Sequence, residues 1–316
     1  MIVKKIFCNL LVLFIISFNL GCDKPVNEPI KLGINPWPGY EFLYLAQEMG
    51  FYEQLDVPVK IIEYGSLSDV RRGYERGNLD AMATTLIELL QVKNNSARDP
   101  QIVLVADFSF GGDVIIARDP IKTPSDLKGK RIGADTTSLP IFILARSLEL
   151  NGLKLADVEV VPLEQSDMER AYIAGNIDAV VTYPPVSVRL QSRDDSSIVF
   201  SSKEIPGEIV DVVSVEKSVL DKRPEDIKKI QLAWDKALRF SKDNPKQAHE
   251  IMAKREGISP QEFAEALSDL KTVSLAEQEK YYSALRPIIK NVKDVLVETG
   301  VLPPQTSADC CLPGKI

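Results

Sequence analysis

A thirteen-residue block occurs twice in this chain, and no other feature narrows the possible fold as much. It reads Arg-Gly-Tyr-Glu-Arg-Gly-Asn-Leu-Asp-Ala-Met-Ala-Thr from Arg72 to Thr84, and Arg-Ala-Tyr-Ile-Ala-Gly-Asn-Ile-Asp-Ala-Val-Val-Thr from Arg170 to Thr182, with seven positions identical. Each copy has the form of a last helical turn, a left-handed glycine cap at Gly77 or Gly175, and an apolar run entering a buried strand. The spacing, 170 − 72 = 98 residues, is too long for a solenoid or propeller unit. Two similar α/β lobes are therefore expected rather than an array. A single copy would carry little weight, because helix–glycine–strand joints are common.

The surroundings of the two copies also correspond. Lys31-Leu32-Gly33-Ile34-Asn35 leads into Glu41–Ala46 ahead of the first copy, and Arg131-Ile132-Gly133-Ala134-Asp135 leads into Ile141–Ala145 ahead of the second. Each lobe thus reads strand, polar loop, helix, strand, helix, joint, strand. Ile102–Ala106 and Val114–Arg118 are two extended runs separated by a Gly111-Gly112 interruption, which suits a chain leaving one lobe for the other. Ile209–Val215, with Asp211 inside it, reads as the return crossing. Beyond it the chain turns helical, with Ile227, Ile230, Trp234, Ala237 and Leu238 on one face. Trp234 is expected in the core and His249, the single histidine, on the surface.

With 316 residues, 45% apolar and 26% charged, the chain can bury the core of two lobes. A net charge of −7 without basic clustering argues against a nucleic-acid partner. Residues 1–21 read as a signal peptide, with Lys4 and Lys5 ahead of an apolar stretch too short for a comfortable membrane span. Asn19-Leu20-Gly21-Cys22 resembles a bacterial lipobox, although Asn19 stands where Leu is usual; an ordinary secretory peptide is the alternative. The resemblance implies lipidation of Cys22 and, through Asp23, retention at the inner membrane, with 22–29 as a tether. Of the other cysteines Cys8 lies in the signal segment, while Cys310 and Cys311 are expected in a loose tail, with a vicinal or interchain disulfide as alternatives. No metal-ligand spacing is present.

Little in the sequence suits bond-breaking. One histidine in a polar helix is a poor general base, and there is no nucleophile elbow, phosphate loop, dinucleotide fingerprint or catalytic His/Cys cluster, hence no expected cofactor. What the chain offers is loops beyond the carboxyl ends of parallel strands, where open α/β sheets bind ligands. The first lobe contributes 35–41, 64–69, 84–88 and 107–109, and the second 135–138, 164–167 and 182–185.

The run Lys31–Phe51, the Tyr64-Gly65-Ser66 loop, both glycine joints and Asp126-Leu127-Lys128-Gly129-Lys130-Arg131-Ile132-Gly133 resemble the nitrate, taurine, alkanesulfonate and thiamine-precursor binders of ABC importers. The resemblance implies an α/β, two-lobed periplasmic-binding-protein fold of type II, with two crossing strands and a small monomeric receptor closing on a solute. Lobe 1 would comprise 30–112 and 209–316, and lobe 2 would comprise 113–208. The implied partners are a small-molecule ligand, an ABC permease and its ATPase, on the periplasmic side of the inner membrane. A sensor signalling to a membrane kinase or cyclase is the alternative, and an enzyme on the same fold a further one. Expected ligand contacts are Trp37, Tyr40, Glu41, Ser66, Thr84, Thr85, Asp107, Thr136, Thr137, Tyr183 and Asp211. Aromatics beside carboxylates favour a nitrogen-rich or cationic ligand. Helix N-termini able to hold a sulfonate by backbone N–H groups argue the other way.

Overall fold

The structure, a computed structural model, describes residues 28–309, 311 and 312. The expected signal segment, Cys22, Asp23, the tether up to residue 27 and Cys310 lie outside the described residues. The chain begins with β1 (Ile30–Ile34), α1 (Glu41–Glu48), α2 (Phe51–Gln54), β2 (Val59–Glu63), α3 (Leu67–Glu75), β3 (Ala81–Thr85), α4 (Leu86–Asn95) and β4 (Pro100–Ser109). It crosses into β5 (Val114–Arg118), β6 (Arg131–Ala134), α5 (Leu139–Leu150), β7 (Glu159–Pro162), α6 (Gln165–Ile173), β8 (Ala179–Thr182), α7 (Val186–Gln191) and β9 (Ser196–Ser201). It returns through β10 (Val210–Glu216) to α8 (Lys217–Lys222), α9 (Pro224–Asp243), α10 (Pro245–Glu256), α11 (Pro260–Ser268), β11 (Leu270–Thr272) and α12 (Gln278–Glu298).

These strands form a six-stranded sheet, β11-β4-β10-β3-β1-β2, and a five-stranded sheet, β7-β6-β8-β5-β9. The two lobes share one plan. β1 lies parallel to β2 and β3 as β6 lies parallel to β7 and β8, while the strand arriving from the other lobe, β10 or β5, inserts antiparallel beside the third strand. β3 and β8 are buried along their whole length, as expected of parallel strands covered on both faces.

The repeated block forms the same joint in both lobes. Gly77 and Gly175 have φ of 78° and 74°, the left-handed region that glycine enters without penalty. Asp80 and Asp178 then each accept a backbone N–H near the start of β1 or β6, from Lys31 and Arg131 respectively, both at 2.9 Å. A Cβ on Gly33 or Gly133 would strike Leu79 or Ile177 of its joint, so strand and joint pack at backbone distance. Even the outer face is duplicated: Arg98 covers the Tyr74 ring at 4.4 Å and Arg118 covers Tyr172 at 4.8 Å, each a cation–π lid on a packed tyrosine.

The C-terminal helices cover the first sheet. Trp234 is fully buried and donates from Nε1 to the Val273 carbonyl at 3.0 Å, which satisfies its one polar atom. His249 is half-buried rather than exposed, with its ring 5.7 Å from that of Phe263. α12 packs on β4 and α4 of the first lobe and reaches α5 of the second. The expectation of a loose tail fails at Cys311, which is buried and accepts the Ile102 N–H at 2.9 Å, because the lower half of β4 lacks a strand partner on that side. Among the described residues no helix is long and apolar enough to cross a membrane, and no His/Cys/Asp/Glu group is arranged to hold a metal ion.

Candidate functional site

The register of the first sheet assembles the site. β10 runs antiparallel between β3 and β4, so Asp211 near its start lies opposite Thr85 on one side and Asp107 on the other, at the carboxyl ends of both neighbours. Directly opposed residues of adjacent strands hold their side chains within about 5 Å, and two carboxylates are thereby forced together. Asp113 joins them from the crossing connection, where its N–H donates to Ser109 Oγ at 3.3 Å and its carbonyl accepts from Ser202 at 2.9 Å.

Burial is the main influence on all three acids. It raises the Asp107 and Asp113 carboxyls from 3.8 to about 7 and holds Asp211 well above the ordinary range, with the neighbouring Asp107 pushing Asp211 higher still. The Trp37 indole donates to Asp107 at 3.3 Å and the Tyr40 hydroxyl to Asp211 at 2.5 Å, which offset part of the cost of burial. Asp211 and Asp107 also bond to each other, which lowers the Asp107 carboxyl and raises that of Asp211. Apart from that contact and the Ser109 hydroxyl beside Asp113, one oxygen of Asp107, one of Asp211 and both of Asp113 have no partner, nor does Thr84 Oγ1. No Lys or Arg acts appreciably on the three carboxyls. A Cβ on Gly39 would run into the Asp107 carboxylate, so the turn after Trp37 approaches the cluster at backbone distance.

The second lobe closes over this cluster. Asn35, Trp37, Tyr40, Leu67, Asp113 and Asp211 meet Leu139 and Tyr183 around a space of only about 10 Å3, so the lobes are shut. Trp37 meets Tyr183 edge-on with ring centres 6.0 Å apart. The Leu67 N–H reaches the Tyr183 oxygen, and Gln165 fixes the Tyr183 carbonyl at 3.1 Å. Glu88 spans the lobes, accepting from Ser138 Oγ at 2.6 Å and the Leu139 N–H at 3.0 Å. Farther out, Arg72 and Glu164 pair at 2.9 Å.

Of the residues expected from sequence, Trp37, Tyr40, Asp107, Tyr183 and Asp211 are brought together, whereas Thr84 is buried opposite Val212, one step along β3 from the residue facing Asp211. Ser66 and Thr85 lie near them but cap α3 and α4 with their hydroxyls. Glu41 is a correction. It sits inside the first lobe, paired with Arg255 of α10 beside the buried Glu256, because the face of α1 that carries it packs on α10. Thr137 is another: its hydroxyl and N–H bind Asp135 in an exposed turn, and Thr136 is only half-buried, so Ser138 is the residue of that loop that enters the cleft. The expected ligand contacts do not include Asp113, which lies behind two glycines, or Glu88, which ends the 84–88 loop and whose spacing after Thr85 looks like an ordinary capping box.

Two lobes on a common plan, closed on a buried polar cluster that both sheets help to build, define the two-lobed fold of the periplasmic binding proteins. Residues 37–248 match the NMT1/THI5 like family, and the chain belongs to it. A Brucella abortus (strain 2308) protein named only as a binding protein is 27% identical over 241 residues, 72% of each chain. The taurine-binding periplasmic protein of Escherichia coli (strain K12) is 27% identical over 131 residues, 40% of each chain. Among solved structures, the alkanesulfonate-binding protein SsuA from Xanthomonas axonopodis pv. citri, bound to MOPS, superposes with a TM-score of 0.75 at 17% identity, covering 88% of this chain and 96% of that one. The desulfurization enzyme DSZB also shares the fold, at a TM-score of 0.65 and 16% identity, over 89% of this chain and 95% of that one. These structural likenesses carry the fold alone. The ligand names attached to the relatives favour sulfonates, and lend no support to the nitrogen-rich or cationic ligand expected from the sequence.

Proposed function

We propose that this chain is a lipid-anchored solute receptor that captures a small molecule bearing a protonated nitrogen and presents it to an ABC permease and its ATPase at the periplasmic face of the inner membrane. The observation that carries the ligand class is the set of crowded, buried carboxyls Asp107, Asp113 and Asp211, which have no cationic side chain to neutralise them. An ammonium or amidinium group would supply both donors and charge, at about 1.5–3 kcal/mol for each charge-assisted bond. Trp37, Tyr40 and Tyr183 supply aromatic walls for the rest of the solute. A sulfonate with no amino group would have to face these acids. An aminosulfonate, the class to which taurine belongs, would not, since its amino end can take the carboxyls.

In this reading residues 30–112 with 209–316 and residues 113–208 move as two bodies, hinged at the crossings around Gly111 and Ser202. The hydrogen bond of 2.8 Å between Ser109 and Ser202 ties the two crossings. Binding without turnover is the expectation for this site, since His249 of α10, the single histidine, packs on Phe263 of α11, away from the cleft. A thermal-shift panel of primary amines, amidines, aminopyrimidines, taurine and methanesulfonate tests the assignment, because a solute that binds only the folded protein raises its melting temperature. A response to amines is expected. A response confined to methanesulfonate would refute the ligand class, and conversion of a bound solute into product would refute the receptor.

A further inference from the structure

We infer that Glu88 is a resident anion, seated where two lobes would otherwise hold a free one, and that it makes the closed cleft reject simple sulfonates and carboxylates. The inference rests on the receptor reading, because it concerns the closed form.

Glu88 is fully buried, yet unlike the three aspartates it has both oxygens satisfied. Oε2 accepts from the Thr85 N–H at 3.1 Å and the Thr85 hydroxyl at 2.5 Å, and Oε1 accepts from the Ser138 hydroxyl at 2.6 Å and the Leu139 N–H at 3.0 Å. Two donors come from each lobe. The first pair is the capping contact at the start of α4, and the second is the start of α5, a twelve-residue helix whose dipole favours negative charge at that end. A capping glutamate needs one oxygen for its own helix. Here the second oxygen crosses to the other lobe and takes the donors that would attract an anion.

Two consequences follow for specificity. An incoming sulfonate or carboxylate finds these four donors already bonded to a covalently held carboxylate, which it cannot displace without opening the cleft. The anion also has to approach Glu88, whose charge already acts on the neighbouring Asp113 carboxyl and raises it. A cation meets neither obstacle. Glu88 therefore discriminates by occupying the favourable anion seat and adding repulsion, rather than by touching the solute.

The test removes the side chain and leaves the donors. Wild type, Glu88→Ala and Glu88→Ser are titrated calorimetrically with sodium formate and with methanesulfonate, and melted with and without each anion. We expect both variants to bind the two anions at least about tenfold more tightly than wild type, and to gain melting temperature from them where wild type gains none. A variant that folds only when formate is present supports the inference equally. Wild type binding methanesulfonate as tightly as the variants overturns it. So does a folded variant indifferent to both anions, or one that stays unfolded with formate present. A primary amine is titrated alongside: if wild type ignores the amine, the proposed ligand class fails while the anion comparison still stands.

Discussion

Replacing Asp113 by Asn removes one buried ionisable group with little change of shape, and the structure sets the size and sign of the effect. Burial raises this carboxyl from 3.8 to about 7, and the Ser109 hydroxyl beside it offsets only part of that shift. A carboxyl whose pKa is higher folded than unfolded holds its proton in the native state after the unfolded chain has lost it. Stability is therefore undiminished below about pH 4, falls as pH rises toward about 7, and is level above that. The gap converts to about 4 kcal/mol at about 1.4 kcal/mol per tenfold change. Asp113→Asn lacks this titration. We expect it to be more stable than wild type by about 2–4 kcal/mol near pH 8, with the advantage gone near pH 4. Urea unfolding of both proteins at several pH values measures the difference directly. Parallel pH profiles for the two proteins would show that Asp113 is ionised without penalty, and the account of the cluster would be wrong.

Two further substitutions probe the parts around the cluster. Gly39→Ala would drive a methyl group into the Asp107 carboxylate, so a loss of roughly 1–3 kcal/mol in stability is expected, with amine affinity lowered by about tenfold or more; calorimetry and thermal melting read both. Arg255→Ala would leave Glu41 and Glu256 buried without their shared cation and should cost about 3–5 kcal/mol in a urea melt, whereas Glu41→Gln should leave solute affinity within about twofold of wild type. A large loss of affinity in Glu41→Gln would return Glu41 to the cleft.

The joints were legible because a left-handed glycine, an aspartate two residues after the following Asn, and an apolar run are local requirements, and local requirements show in sequence. The sheet ends were legible for the same reason, and Trp37, Tyr40, Asp107, Tyr183 and Asp211 follow from them. Glu41 was misplaced because its partner, Arg255, lies 214 residues away on a helix whose docking face no local pattern reveals. Thr136 and Thr137 were preferred to Ser138 because the residue that turns inward depends on where α5 starts, and a shift of one position changes the answer. Glu88 ends the 84–88 loop, and Thr85 three residues earlier accounts for it fully as a helix cap; its second role appears only when the other lobe is in place.

The central claim, that three buried carboxyls receive a cationic nitrogen, is tested most directly by calorimetric titration of wild type with an amine that responds in the thermal-shift panel and with methanesulfonate. The titrations are run near pH 6 and near pH 8, in buffers of different ionisation enthalpy. Because Asp107 and Asp113 hold protons up to about 7, an incoming cation must expel them. The account predicts proton release on binding and amine affinity about tenfold higher near pH 8 than near pH 6, with no binding of methanesulfonate. Tight binding of methanesulfonate with proton uptake, strengthening as pH falls, would contradict it.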